Sequence, residues 1–164
     1  MNGAIDIEEA ASDDAPAIAE IHLTARAQAM PRLARPHTDD ETRKWFAGVV
    51  GNRRSAWWVA RLAGRVVGYM VVDGERLDHL YVHPEAQGRG VGSALLNKAR
   101  ELSPRRIALA TFQSNVRARA FYERHGFRVV GLTEGENEEA EPDVRYVWTR
   151  CACGRAGEGA AGPP

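Results

Sequence analysis

Lysine is nearly absent from this 164-residue chain: Lys44 and Lys98 are its two lysines, so the basic half of a balanced charge count, 22 Lys+Arg against 22 Asp+Glu, is almost wholly arginine. A net charge of zero excludes the broad electrostatic footprint that nucleic acid or an anionic membrane surface requires. Cysteine is scarce as well. Cys151 and Cys153 lie too close in sequence for an ordinary framework disulfide, which fits a reducing, cytoplasmic setting. Two such residues are too small a set for a metal site without further ligands, and no metal is expected. No apolar stretch approaches transmembrane length, and the first nine residues lack the basic region and apolar run of a secretion signal. There is no internal repeat.

The length suits one domain, residues 1–150, with a core of useful size. Beyond Cys153 the chain is mostly Gly, Ala and Pro, which predicts a disordered tail over 151–164. The informative stretch is 77–97, LDHLYVHPEAQGRGVGSALLN. It opens as a strand and stops at His83-Pro84, because proline cannot donate to a sheet ladder. Gly88, Gly90 and Gly92 follow at alternate positions, and Val91, Ala94, Leu95, Ala99 and Leu102 recur at helical spacing. Strand, glycine loop and helix make an anion site, since the first N–H groups of a helix have no intrahelical partner and sit at the positive end of its dipole. The P-loop is excluded, as no Gly-Lys-Ser/Thr follows. The dinucleotide fingerprint is excluded too, because its third glycine and its downstream acidic residue are missing.

What remains, Gln87-Gly-Arg-Gly-Val-Gly92 after a strand ending Leu80-Tyr-Val-His-Pro84, resembles the acyl-CoA loop of the GNAT N-acetyltransferase family. A second stretch, Asn115-x-x-Ala118-x-x-Phe121-Tyr122-Glu123-x-x-Gly126-Phe127, is similar to that family's second signature. The resemblance spans roughly residues 4 to 150, in layout more than in motif over the first fifty.

The remaining pattern agrees with that layout. Ile5 and Ile7 mark a first strand, and Ser12 or Asp13 can cap a helix that carries Ile18, Ile21, Ala25 and Ala29 inward. Thr38 and Glu41 form a capping box on a second helix, with Trp45, Phe46, Val49 and Val50 as its buried face. Strands follow at 57–62 and 66–72, joined at Ala63-Gly64, and Asp73-Gly74 turns into the motif strand. A helix then leads to a strand at 106–112 that should run parallel to the motif strand. Another helix carries Val116, Ala120 and Phe121 inward, and a hairpin at 127–132 and 144–150 encloses an acidic loop, Glu134 to Asp143. The expected class is α+β, a mixed and mostly antiparallel sheet of six to seven strands flanked by about four helices. By the resemblance, its central parallel pair splays apart to admit the pantetheine arm.

The N–H groups of Gln87 to Gly92, with Ser93 in the first helical turn, are the expected pyrophosphate site, and Gln87 and Arg89 side chains can add contacts. The resemblance implies acetyl-CoA as co-substrate, pairing with the exposed backbone of Leu80, Tyr81 and Val82, the Val82 N–H polarising the thioester carbonyl. It implies Tyr122 as the acid that protonates the departing thiolate, and Asn115 near the pantetheine, where an N-cap explains that residue equally well. Alternation on the motif strand sets Arg76, Asp78, Leu80 and Val82 on one face and His79 and Tyr81 on the other. The resemblance implies a base at an acidic residue or histidine an even number of positions before the matching valine, which makes Asp78 the candidate, with Glu75 and His79 in reserve and water alone as the alternative. Glutamates of the acidic loop can line an acceptor entrance beside His37-Thr38. The function so implied is acetyl transfer to an amine of a small molecule or peptide by direct attack in a ternary complex. The rival is a non-catalytic acyl-CoA-binding module of the same fold. Homodimerisation is common in the family and is open here.

Overall fold

The structure, a computed structural model, describes residues 3–52 and 55–150. In chain order it contains β1 (Ile5–Glu9), α1 (Ala15–Ala29), α2 (Asp39–Val49), β2 (Ala56–Leu62), β3 (Arg65–Asp73), β4 (Arg76–Val82), α3 (Val91–Leu102), β5 (Arg106–Phe112), α4 (Val116–Arg124), β6 (Arg128–Leu132) and β7 (Asp143–Thr149). The seven strands form one sheet in the order β1-β2-β3-β4-β5-β7-β6. Every neighbouring pair is antiparallel except β4 and β5. The expected tail, with Cys151 and Cys153, lies outside the described residues.

Each face of the sheet buries its own core. On one, Leu77, Met70, Leu95, Leu96, Ile107, Phe127 and Tyr146 pack beneath α3 and α4. On the other, Ile18, Ile21, Phe46, Val59 and Tyr69 pack beneath α1 and α2. The tight turn after β2 places both Ala63 and Gly64 at positive φ, the pattern that two-residue hairpins require. Gly68 serves the motif helix instead: a Cβ there would meet Val91 at 3.0 Å and Leu95 at 3.2 Å, so its absence lets α3 lie directly on β3.

Four sequence expectations change. Neither Ser12 nor Asp13 caps α1; those residues form a short 3-10 turn, and the buried Asp14 carboxylate accepts from the Ala11 N–H at 3.0 Å and from Arg61 at 2.7 Å. Trp45 is 51 % exposed, and Phe46 and Val50 bury the face of α2. On α4 the inward residues are Tyr122, Ala118 and Phe121, while Val116 is 68 % exposed and Ala120 is also at the surface. Tyr122, not Phe121, is the more deeply buried of the two aromatics, because the helix begins at Val116 and turns position 122 onto Phe127 and Tyr146. The Thr38 capping box is present as expected: the Thr38 N–H donates to Glu41 at 2.7 Å and the Glu41 N–H donates to the Thr38 hydroxyl at 3.2 Å.

Candidate active site

The site begins where β4 and β5 part. Their pairing is confined to one end, where Arg76 lies opposite Ala108 and the Ala108 N–H donates to the Glu75 carbonyl at 2.8 Å. Beyond that point β4 keeps its partner on one side only, pairing with β3 through Val82. The His83 N–H donates to Val67 of β3 at 2.8 Å. Because backbone groups alternate along a strand, those of Leu80 and Val82 therefore face the opening toward β5. The side chain of Gln87 donates to the Val82 carbonyl at 3.2 Å, closing the end of this edge. Gln87 is thus a strut, and its own N–H is engaged with Pro84 at 3.3 Å.

The free donors start one residue later. Gly88 and Gly90 take φ of +74° and +84°, conformations that side chains resist. Gly90 is the N-cap of α3 and offers no side-chain cap. Among the described residues, the N–H groups of Gly88, Arg89, Gly90, Val91, Gly92 and Ser93 have no backbone acceptor, whereas the Ala94 N–H already donates to Gly90 at 3.0 Å. A run of converging donors at a helix N-terminus is a cradle for a phosphate group. Arg89 is exposed beside it. Gly92 has another task, because a Cβ there would stand 3.3 Å from the Phe121 ring, so α4 can pack against the first turn of α3.

That contact carries a polar link that the sequence did not disclose. His125 Nδ1 lies 2.7 Å from the Phe121 carbonyl and donates to it, and Nε2 is hydrogen-bonded to the Ser93 hydroxyl at 3.0 Å. The Ser93 side chain thus joins α3 to α4, and its N–H is what it offers the cradle. Asn115 caps α4, its Oδ1 accepting from the Ala118 N–H at 3.1 Å.

Tyr122 is buried against Phe127 and Tyr146, and burial, reinforced by the nearby Tyr81 of β4, raises its phenol well above the usual value near 10. It stays protonated at any physiological pH. Among the described residues its hydroxyl has no hydrogen-bond partner, the neighbouring Tyr146 hydroxyl being the one that donates to Glu123, at 2.7 Å.

Asp78 is not on the open edge. β4 carries a bulge: Val71 of β3 faces His79 and the next residue, Val72, faces Leu77, so Asp78 is the extra residue. The bulge moves Leu77 onto the face shared with Leu80 and Val82 and turns Asp78 outward onto Arg76, which donates to it at 2.6 Å and 3.2 Å. Glu75 is at the closed end of the strand pair, within 3.2 Å of Arg106.

His79 and Tyr81 face the other core, and there His79 lines a pocket of about 710 Å³ between α1, α2 and the loop joining β6 to β7. The floor is aromatic, with Phe46, Trp45 and His22. Burial first, then His79 and Arg26, depresses His22 to about 3. Burial chiefly, with Asp78 opposing and Arg26 adding, depresses His79 to about 4. Both rings are neutral at pH 7. Of the acidic loop, Glu138 and Glu139 reach the pocket; Glu139 is paired with Arg26 at 2.6 Å and Glu138 lies 3.3 Å from His37. His22 and Trp45 escaped sequence reasoning because a histidine or tryptophan in an amphipathic helix reads as core, and here that face is the pocket wall. Among the described residues no cluster of His, Cys, Asp and Glu could hold a metal ion.

A mixed sheet with one splayed parallel pair, a glycine cradle after the first of those strands and a tyrosine from the helix after the second define the acyl-CoA N-acyltransferase class of fold. The comparisons agree. The sequence model of the acetyltransferase (GNAT) domain matches residues 53–129. An uncharacterized N-acetyltransferase of Mycobacterium bovis, Mb2688, is 33 % identical over 125 residues, covering 71 % of this chain and 74 % of that protein. The peptidyl-lysine N-acetyltransferase YjaB of Salmonella typhimurium is 35 % identical over 68 residues, 42 % of this chain and 46 % of YjaB, so the chain spans about half the length of that relative. Among solved structures, apo YjaB from Escherichia coli superposes with a TM-score of 0.76 at 22 % identity, covering 88 % of this chain and 97 % of that one. A PaiA N-acetyltransferase from Thermoplasma acidophilum in complex with coenzyme A gives 0.67 at 15 % identity, covering 90 % and 99 %. The chain belongs to the GNAT N-acetyltransferase family.

Proposed function

We propose that the protein transfers an acetyl group from acetyl-CoA to an amine acceptor by direct attack in a ternary complex. The observation that carries this reading is the open edge of β4, which separates two preformed sites: the donor cradle of Gly88 to Ser93 on the α3 face and the aromatic pocket on the α1 face. In this reading the cradle takes the pyrophosphate, with Arg89 adding charge, and the edge from Leu80 to Val82 pairs with the pantetheine amides, with Asn115 alongside. The Val82 N–H meets the thioester oxygen as charge develops on it. Tyr122 returns a proton to the departing thiolate. The Asp78 carboxylate is held outward by Arg76, and the amine's proton leaves to water in the pocket. The acceptor arrives over the rim where Glu138 stands, which favours a cation. Relatives named as peptidyl-lysine N-acetyltransferases make peptide amines the first class to try.

The test is CoA release from acetyl-CoA with peptide, amino-acid, polyamine and aminoglycoside amines; turnover on one class supports the reading, and none on any class opposes it. Two variants refine it. Gly90→Val forces a β-branched residue into φ +84°, where relief of strain turns the donors apart, so the acetyl-CoA Kd should rise about tenfold or more by calorimetry. Asp78→Asn removes an exposed partner of Arg76 and should leave kcat/KM within about twofold of the parent. A loss of about a hundredfold or more would restore Asp78 as the base.

A further inference from the structure

Within and behind the pocket wall runs a line of four side chains that the acetyl-transfer reading does not use: Arg26, His22 and His79 line the pocket and Tyr69 lies behind them. Arg26 Nη1 faces His22 Nε2 at 3.5 Å, His22 Nδ1 is 2.8 Å from the Tyr69 hydroxyl, and that hydroxyl is 3.2 Å from His79 Nδ1. Each hydrogen bond has a direction, and one end of the line fixes them all. A guanidinium has only donors, so the nitrogen of His22 that faces it carries the lone pair. His22 is neutral, so its proton is on Nδ1 and is donated to the Tyr69 oxygen. Tyr69 has a single hydroxyl proton and gives it to His79 Nδ1. The proton of His79 is therefore on Nε2, the one nitrogen of that ring with no hydrogen-bond partner among the described residues, and His79 lines the pocket.

We propose that the chain Arg26, His22, Tyr69, His79 locks His79 as the Nε2–H tautomer, so that it offers the pocket a hydrogen-bond donor and selects amine acceptors that carry a carbonyl or carboxylate oxygen. The proposal rests on the acetyl-transfer reading and names the acceptor class of that same site. In this tautomer His79 has no lone pair to offer an amine and is a positioning residue, not a base. Aromatic rings surround it: His22 at 5.8 Å, Tyr81 at 6.0 Å, Trp57 at 6.2 Å and Trp45, nearly parallel, at 6.4 Å. An acceptor that displaces water from such a wall leaves the N–H unpaired unless it brings an oxygen. A simple alkylamine brings none, whereas an amino-acid amide or a peptide does.

Two measurements test this on the full-length protein. In 15N-correlated NMR spectra of the imidazoles at pH 7, His22 should be the Nδ1–H tautomer and His79 the Nε2–H tautomer, and Tyr69→Phe should release His79 into a mixture. A predominant Nδ1–H form of His79 overturns the proposal whatever the kinetics. In the CoA-release assay, leucinamide should exceed isopentylamine by about tenfold in kcat/KM, expressed mainly in KM. His79→Leu should erase that preference and His79→Gln, which keeps an N–H, should retain most of it. Turnover of both amines with equal KM in the parent and in His79→Leu overturns the donor role alone and leaves acetyl transfer standing. No turnover of any amine, with NMR tautomers as expected, overturns acetyl transfer and the positioning role with it.

Discussion

Tyr122→Phe should lower kcat about a hundredfold, some 2.7 kcal/mol in the barrier, while the Kd for acetyl-CoA stays at its parent value. The split follows from where the hydroxyl is. Tyr122 contributes its ring to the core beneath α3 and α4, against Phe127 at 5.5 Å and Tyr146 at 6.1 Å, and phenylalanine keeps those contacts. Its hydroxyl has no protein partner among the described residues, so removing it breaks no internal hydrogen bond and should leave the thermal midpoint unchanged. What is lost is a proton on a phenol that burial keeps protonated, close to Tyr81 of β4. Unchanged kcat in the variant would remove Tyr122 from the chemistry, whereas tight binding of acetyl-CoA with no turnover of any amine in the parent would favour a module that binds without turnover. Single-turnover measurements at saturating acetyl-CoA separate the two.

Acidification should destabilise the fold through two buried imidazoles. His22 and His79 are held near 3 and 4 in the folded protein against 6.5 when exposed. Between those values the unfolded chain binds protons that the folded one refuses, so stability is fully present above about pH 6.5 and falls as the pH drops. At pH 4 the two rings together remove about 6 kcal/mol, roughly 3 each, which is a large part of what an ordinary domain possesses. Urea titrations at pH 7, 5.5 and 4.5 should show the midpoint dropping steeply. His22→Gln should flatten that dependence although it weakens the protein at pH 7, where the Tyr69 hydroxyl loses its partner at 2.8 Å. A midpoint independent of pH over this range would show that the two imidazoles are solvated.

What the sequence disclosed, and what it withheld, follows from the range of the interactions involved. The Thr38 capping box, the turn at Ala63-Gly64 and the glycine loop are local, each set by residues within a few positions, and each stands where its pattern put it. The splayed pair was expected from family resemblance and is present as a single point of parallel pairing at Arg76 and Ala108. Asp78 was misplaced because counting by twos assumes an unbroken ladder, and the bulge opposite Val71 and Val72 exists only in the pairing with β3. The aromatic pocket was invisible for a similar reason. His22 sits on the inward face of α1 and Trp45 on the half-open rim of α2, and only the spacing of α1 from α2 and the latch from Arg26 to Glu139, 113 residues along the chain, decides that this space stays open.

Calorimetric titration of the protein with acetyl-CoA tests the central claim most directly. The account predicts saturable one-to-one binding in the micromolar range for the parent, and binding at least about tenfold weaker for Gly90→Val, a folded variant whose thermal midpoint should fall by several degrees from the strain at φ +84°. Absence of saturable heat in the parent, or equal affinity in the two proteins, would contradict the assignment of Gly88 to Ser93 as the pyrophosphate cradle.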